Sequence, residues 1–318
     1  MKRKAIIVFL IVVIIFSFSG CQNGSSNNVS YSYNKITNKL TISGDGEMDF
    51  DMDSSAYLDL CGIDNPKRVV ISSGLTNVQA RFFSYSIDGN SGVDRNHFDK
   101  IEAVELSDTI VEIGSSSFED CKGLESINIP KSVNSIGSDA FGDCISLKSI
   151  EIPDGIKSVR HGAFAGCSAL EEIEFPSSLS SVDYYVCKDC ESLKTVIIGD
   201  GPTKIGAYAF YCCSNLENVS IGKSVEIIEE DAFLGCGSLS SIELPESLKE
   251  IGECAFQFCD KLMSITVPAS VVSIGEEALG YTDPNGSTKI SGFVIKGYKN
   301  TAAEKYAKEN GFEFISLD

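Results

Sequence analysis

Apolar and polar positions alternate in short bursts along most of the chain, and the bursts return every 23 residues. In Leu147-Lys148-Ser149-Ile150-Glu151-Ile152-Pro153 the apolar residues at 150 and 152 face one way and Glu151 the other, the pattern of a short strand with one buried face. Pro153 has no N–H for a continuing ladder, so the strand ends there. A second extended piece ends at Val159, and a brief helical turn is expected to carry Phe164 and Cys167 into the core. The same step of 23 links Cys121, Cys144, Cys167, Cys190, Cys213, Cys236 and Cys259. It links a leucine column from Leu124 to Leu262 and an aromatic column of Phe118, Phe141, Phe164, Phe210, Phe233 and Phe256, where Cys187 and Leu279 take the slot in two units. Ala140, Ala163, Ala209, Ala232 and Ala255 precede the aromatic slot, small enough for neighbouring turns to approach closely. From Ile113 to Ile274 there is no insertion or deletion.

One such unit buries five or six side chains, too few to offset the ordering of 23 residues. Stability must therefore be shared between stacked neighbours, which predicts a solenoid with strands about 4.8 Å apart along one face. Its ends should differ from its middle. Residues 29–68 read as an N-terminal β cap that opens with a hairpin, Tyr31 to Tyr33 against Leu40 to Ile42, and Gly44-Asp45-Gly46 as a turn. The repeats run over 69–289. Val69 and Ile71 form a divergent early rung, and Val104 follows 35 residues later, one period plus a 12-residue insertion assigned to the polar stretch of about 84–96. Residues 290–318 read as a C-terminal cap. Phe293 and Ile295 make a last strand of the repeats, Thr301-Ala302-Ala303-Glu304 is a capping box opening a helix that closes at Gly311, and Phe314 and Ile315 are extended. That helix would cover the apolar end of the stack.

The N-terminus is of another kind. Lys2, Arg3 and Lys4 precede the apolar run Ala5 to Phe18, too short for a comfortable membrane span and shaped like a secretory leader. Phe18-Ser19-Gly20-Cys21 is similar to the bacterial lipobox, which implies a leader over 1–20, lipidation of Cys21 and a flexible Gly/Ser/Asn linker over 21–28. Plain cleavage and an uncleaved anchor are the alternatives. The formal charge of −19 becomes −22 when Lys2, Arg3 and Lys4 leave with the leader. A chain so acidic lacks the basic footprint that nucleic acid requires.

The unit Ile-Gly-x-x-Ala-Phe-x-x-Cys-x-x-Leu-x-x-Ile-x-Ile-Pro, read from Ile136-Gly137 to Pro153, resembles the BspA-type leucine-rich repeat. Leu40 to Met48 and Gly297 to Phe314 are similar to the opening and closing segments of such ectodomains, so the resemblance covers almost all of the mature chain. It implies a leucine-rich-repeat solenoid: a curved, right-handed, β-rich superhelix of α/β horseshoe type, with 23-residue repeats, short convex-side helical turns and capped ends. It also implies a bacterial surface location and adhesion to host proteins or other cells. Departures are Gly199 and Gly222 at the proline slot, Cys187 at the phenylalanine slot and the insertion near residue 90.

Candidate chemistry is sparse. In-register thiols point the same way, which a disulfide dihedral does not tolerate, so the cysteine column reads as inert core. Cys187-Lys188-Asp189-Cys190 matches a redox or zinc spacing but lacks a second pair and a strand–helix context. Asp49, Asp51 and Asp53 alternate like the opening of a calcium loop, yet Ser54 and Leu60 stand where a glycine and a glutamate belong, and a solvated strand edge fits equally. His97 and His161 have no sequence-placed partners for a catalytic triad. No catalytic residue, cofactor or metal is assigned. The outward strand positions remain as the candidate binding face: Glu105, Asn128, Glu151, Glu172, Glu174, Ile197, Ser220, Glu243 and Thr266. Glu151, Glu172 and Glu174 form an acidic patch for a basic protein surface or a cation, or simply a solvated sheet face, and Ile197 is a contact anchor. The expected function is a non-enzymatic, lipid-anchored binding protein exposed outside the cell membrane. Its ligand is a protein on a host matrix or another cell, and its only membrane contact is the N-terminal lipid. The alternative is a receptor lipoprotein that captures a peptide or small ligand near the insertion at 84–96.

Overall fold

The structure, a computed structural model, describes residues 29–48, 65–84, 98–282 and 288–318. The strands that the alternation predicts stack in parallel, residue on residue, at the expected step. Thr195 lies opposite Glu172 and Asn218 opposite Thr195, while Ile228 lies opposite Ile205 and Ile251 opposite Ile228. Each unit contributes to two ladders. The long-strand ladder holds Arg68–Ile71, Ala103–Leu106, Ser126–Asn128, Glu172–Phe175, Thr195–Ile198, Asn218–Ser220 and Ser264–Thr266. The short-strand ladder holds two-residue strands from Asn77–Val78 to Ser273–Ile274. At the front, Ser30–Asn34 pairs antiparallel with Lys39–Ser43, which pairs in parallel with Arg68–Ile71 and so joins the hairpin to the stack. Val69 opposes Val104 and Val78 opposes Ile113, a 35-residue step in both ladders, so the extra 12 residues leave the register of either side intact. The stretch assigned to them, about 84–96, lies outside the described residues apart from Ser84.

Two long-strand rungs depart from expectation. Ile150 to Ile152 and Ile242 to Leu244 occupy the stack with Ile150, Ile152 and Ile242 buried, but neither forms a regular strand; one bridge, Ser149 to Glu172, marks the first. Proline removes a rung-to-rung bond at these positions, although Ser126–Asn128, followed by Pro130 and in the next rung by Pro153, still forms a strand. Where the residue after the strand has an N–H, it adds a rung-to-rung bond: Ser72 to Ile42 O, Ser107 to Ile71 O and Gly199 to Phe175 O, at 2.9–3.0 Å. The rung at 150–152 is followed by Pro153 and its successor by Pro176, and the rung at 242–244 by Pro245 and Pro268. Both therefore lack that bond toward each neighbour.

The convex-side segment differs from a helix. Within each unit, i to i−3 bonds close successive single turns, as from Glu119 N to Ser116 O and from Cys121 N to Phe118 O. Left-handed residues interrupt them four apart, for example Ser116 and Asp120, Asp139 and Asp143, Gly162 and Gly166. Such residues cannot propagate an α-helix. Instead the alternate N–H groups of 116, 118 and 120 donate to the carbonyls of 138, 140 and 142 in the next rung at 2.7–2.8 Å, a third ladder of hydrogen bonds.

The phenylalanine column forms two stacked runs between these ladders. Ring centroids are 5.0 Å apart for Phe83 and Phe118, 5.3 Å for Phe118 and Phe141, and 5.5 Å for Phe141 and Phe164; the stack resumes at Phe210, Phe233 and Phe256 with 5.3 and 5.2 Å. At the Cys187 gap the same rung carries Phe175 where other units carry an aliphatic residue. Its ring meets Phe210 edge-on at 6.1 Å and fills the missing volume. The glycine that follows Ile113, Ile136, Ile205, Ile251 and Ile274 is a close-approach position: a Cβ on Gly137 would lie 2.4 Å from Ser115 N.

Beyond Ser264–Thr266 the long ladder continues through Val294–Gly297 and Glu313–Ser316. Between these, helix α1 (Ala302–Asn310) buries Ala303, Tyr306 and Ala307, ends at Gly311 in the left-handed region (φ 66°), and closes the stack. The Tyr306 hydroxyl accepts from Leu279 N at 3.1 Å, so it caps the column whose last slot is Leu279. The expected capping box does not form: Glu304 accepts from Asn300 N at 2.7 Å, one residue before the N-cap, and the Thr301 hydroxyl donates to Tyr298 O instead of capping the helix.

Candidate binding surfaces

On the long-strand face, Glu105, Asn128, Glu151, Glu172, Glu174, Ser220, Glu243 and Thr266 are all exposed. Register places Glu105 beside Asn128 and Glu174 beside Ile197, which lies beside Ser220. Glu151 and Glu243 lie on the two irregular rungs. Ile197 is half-buried rather than a projecting anchor, because the neighbouring rungs cover part of its side chain. The acidic patch of Glu151, Glu172 and Glu174 is bordered by a column of alternating sign, Glu125, Lys148, Glu171, Lys194 and Glu217. Within that column Lys194 donates to Glu171 at 2.8 Å, which lowers the Glu171 carboxyl below its usual range. The patch is thus partly neutralised along one border.

The ten described cysteines are free thiols, eight of them buried. Each column thiol donates to the carbonyl of the previous rung's aromatic slot: Cys144 to Phe118 O and Cys167 to Phe141 O at 3.1 Å, and Cys213 to Cys187 O at 3.2 Å. Phe118 O also accepts Cys121 N, so the weak thiol donor of Cys144 takes the second lone pair of that carbonyl. Burial drives the thiols of Cys144, Cys167, Cys213 and Cys236 well above the ordinary range, which leaves them protonated and unreactive. Cys187 and Cys190 belong to this core.

Stacking also brings together what linear reading separated. Ser138, one period before His161, has its hydroxyl 3.0 Å from His161 Nδ1, and Asp139 approaches Nε2 at 3.9 Å. The carboxylate is too distant to orient the imidazole by a hydrogen bond, and the group is half-exposed, unlike a nucleophilic triad. No cluster of metal-ligating side chains occurs among the described residues. Asp49, Asp51, Asp53, His97 and Cys21 lie outside them.

The richest surface is the turn edge, which the sequence reading passed over. His161 stacks on Tyr184 at 4.8 Å and Tyr185 on Tyr208 at 4.9 Å; the two pairs meet edge-on, and Tyr211 tilts against Tyr208 at 5.7 Å. Asp231 hydrogen-bonds the Tyr208 phenol and, with burial, pushes it up to about 12. Burial raises the carboxyls of Glu119, Asp143 and Asp231 on this edge. Beside it, a groove of about 450 Å³ is lined by Ala207, Ile227, Glu229, Glu230, Glu250 and Glu253. A second, of about 630 Å³, separates α1 from the last short strand and is lined by Val272, Ile274, Tyr306 and Lys308. The 23-residue step from Ser138 to His161 and the doublet Tyr184-Tyr185 were the available signals.

A model of the BspA type leucine rich repeat region (6 copies) matches residues 95–211 and 203–296, more than half of the chain. No curated protein matches it. Among solved structures, the chain is similar to a leucine-rich repeat protein from Eubacterium ventriosum, with 20% identity over 84% of this chain and 97% of that one, TM-score 0.46. It is also similar to a leucine rich cell surface protein from Faecalibacterium prausnitzii, with 18% identity over 94% and 96%, TM-score 0.45. A leucine rich repeat protein of T. pallidum shares 21% identity over 91% and 95%, TM-score 0.40. No helix among the described residues is long and apolar enough to cross a membrane.

Proposed function

The chain belongs to the BspA type leucine-rich repeat family, and on that premise we propose that it is a surface-displayed binding protein for another protein, without chemistry of its own. Cys21 carries the lipid that tethers it outside the cell membrane, and the linker over 21–28 lets the repeats, framed by the caps at 29–68 and 290–318, stand clear. The ligand is a protein on a host matrix or a neighbouring cell. The observation that carries this reading is the in-register strand ladder, whose outward residues from Glu105 to Thr266 stay exposed apart from half-buried Ile197, while most of the inward ones are buried. Such a rigid array offers a partner many contacts with little ordering cost.

Glu151→Lys together with Glu174→Lys is expected to leave the thermal midpoint nearly unchanged, since exposed charges typically contribute within about 0.5 kcal/mol. Saturable binding of the purified protein to intact cells or immobilised matrix proteins should fall several-fold. Binding untouched by the reversal removes the long-strand face as the contact surface, and absence of any saturable binding ends the reading itself. Cys21→Ala should move the protein from the membrane fraction to the medium; retention would mean that the apolar leader is the anchor.

A further inference from the structure

Tyr185 and Tyr208 stand at the first left-handed position of their turns, with φ of 56° and 57°. Other units place Arg81, Ser116, Asp139, Gly162, Asp231, Cys254 or Glu277 there, so the left-handed position belongs to the turn and the side chain it carries varies from rung to rung. In adjacent rungs this slot puts two aromatic rings side by side on the turn edge, stacked at 4.9 Å. What the rings accept is already visible. Lys188 Nζ lies 5.7 Å from the Tyr185 ring centroid and 5.8 Å from that of Tyr211, within cation–π range of both. Its remaining partner is Asp189 at 3.6 Å, an exposed ion pair that contributes little and gives way easily.

We propose that the Tyr185, Tyr208 and Tyr211 cluster is a docking seat for the lysine or arginine side chains of an extended basic segment in a partner polypeptide, with Lys188 as its resident occupant. The proposal rests on the protein-binding reading above and adds where, and for which chemistry, the partner is recognised. Charge complementarity supports it. The 450 Å³ groove begins at Ala207, next to Tyr208, and carries Glu229, Glu230, Glu250 and Glu253. Of these carboxylates Glu229 is bonded to Lys204 at 3.0 Å. A segment that places one cation on the tyrosines would lay its next ones along this groove.

The test uses the full-length protein and a fluorescent peptide of four arginine–glycine–glycine repeats, with a glutamine-for-arginine peptide as control. Tyr185→Gly combined with Tyr208→Gly removes both rings without altering charge and relieves the left-handed strain, as Gly162 does naturally. Arginine-peptide affinity should fall about tenfold, with the thermal midpoint equal or higher. Lys188→Gln should raise affinity about threefold beyond a Lys131→Gln control of identical charge change. An unchanged affinity in the glycine variant, or a lowered midpoint with affinity intact, overturns the seat and makes the tyrosines turn staples. Ring-dependent binding of maltohexaose with no ring-dependent peptide binding would overturn it in favour of a glycan. In either case cell binding that responds to Glu151→Lys with Glu174→Lys leaves the broader reading standing.

Discussion

Phe141→Ala is expected to cost about 3–5 kcal/mol of stability, the range for removing a fully buried aromatic ring. Phe141 has no exposed surface and sits between Phe118 and Phe164, 5.3 and 5.5 Å away. The loss should exceed that of an isolated core residue in its consequences, because each rung of a repeat stack depends on its neighbours. Denaturant unfolding should separate into two phases, and hydrogen exchange should quicken first in the third-ladder amides, such as Phe118 N bonded to Ala140 O. Phe141→Leu should be milder, since the last unit carries Leu279 in this slot. A loss below about 1 kcal/mol for the alanine variant, with unfolding still in one phase, would contradict the shared-stability account.

Cys187→Phe restores the repeat consensus, yet it is expected to destabilise by about 1–3 kcal/mol, the usual cost of overpacking a filled core. Phe175 already occupies the space, its ring 6.1 Å from Phe210. Phe175→Ile alone should also be destabilising, because it leaves a void beside the small Cys187. The double variant should recover most of the loss from either change, giving a strong favourable coupling in a double-mutant cycle. Simple additivity of the two effects would show that the rings do not share a cavity.

The burial pattern of the rungs was legible because side-chain direction in a strand follows from position alone. Ile173 and Phe175 are buried and Glu172 and Glu174 exposed, as alternation requires. The column of cysteines was legible as inert core, although the bond from each thiol to the preceding rung's carbonyl needed the third ladder to be seen. The turn edge was not legible. A helical turn would have scattered Tyr184, Tyr185, Tyr208 and Tyr211 around an axis, whereas left-handed residues at 185, 189, 208 and 212 hold them together on one side. Nothing in the side chain of a tyrosine announces that conformation, since its own preference opposes it.

By itself, then, the chain of 318 residues dictates which side chains stack on which, because a constant spacing of 23 converts position in the chain into position along the stack. It also dictates that the stack must be closed at its ends, since an exposed rung of apolar residues cannot remain in water. Tertiary structure decided where the outward chemistry gathers. Rung-to-rung hydrogen bonds over-determine the turns and force residues such as Tyr185 and Tyr208 against their local preference. Contacts between residues 23 apart, such as His161 on Tyr184, exist only once neighbouring coils are packed.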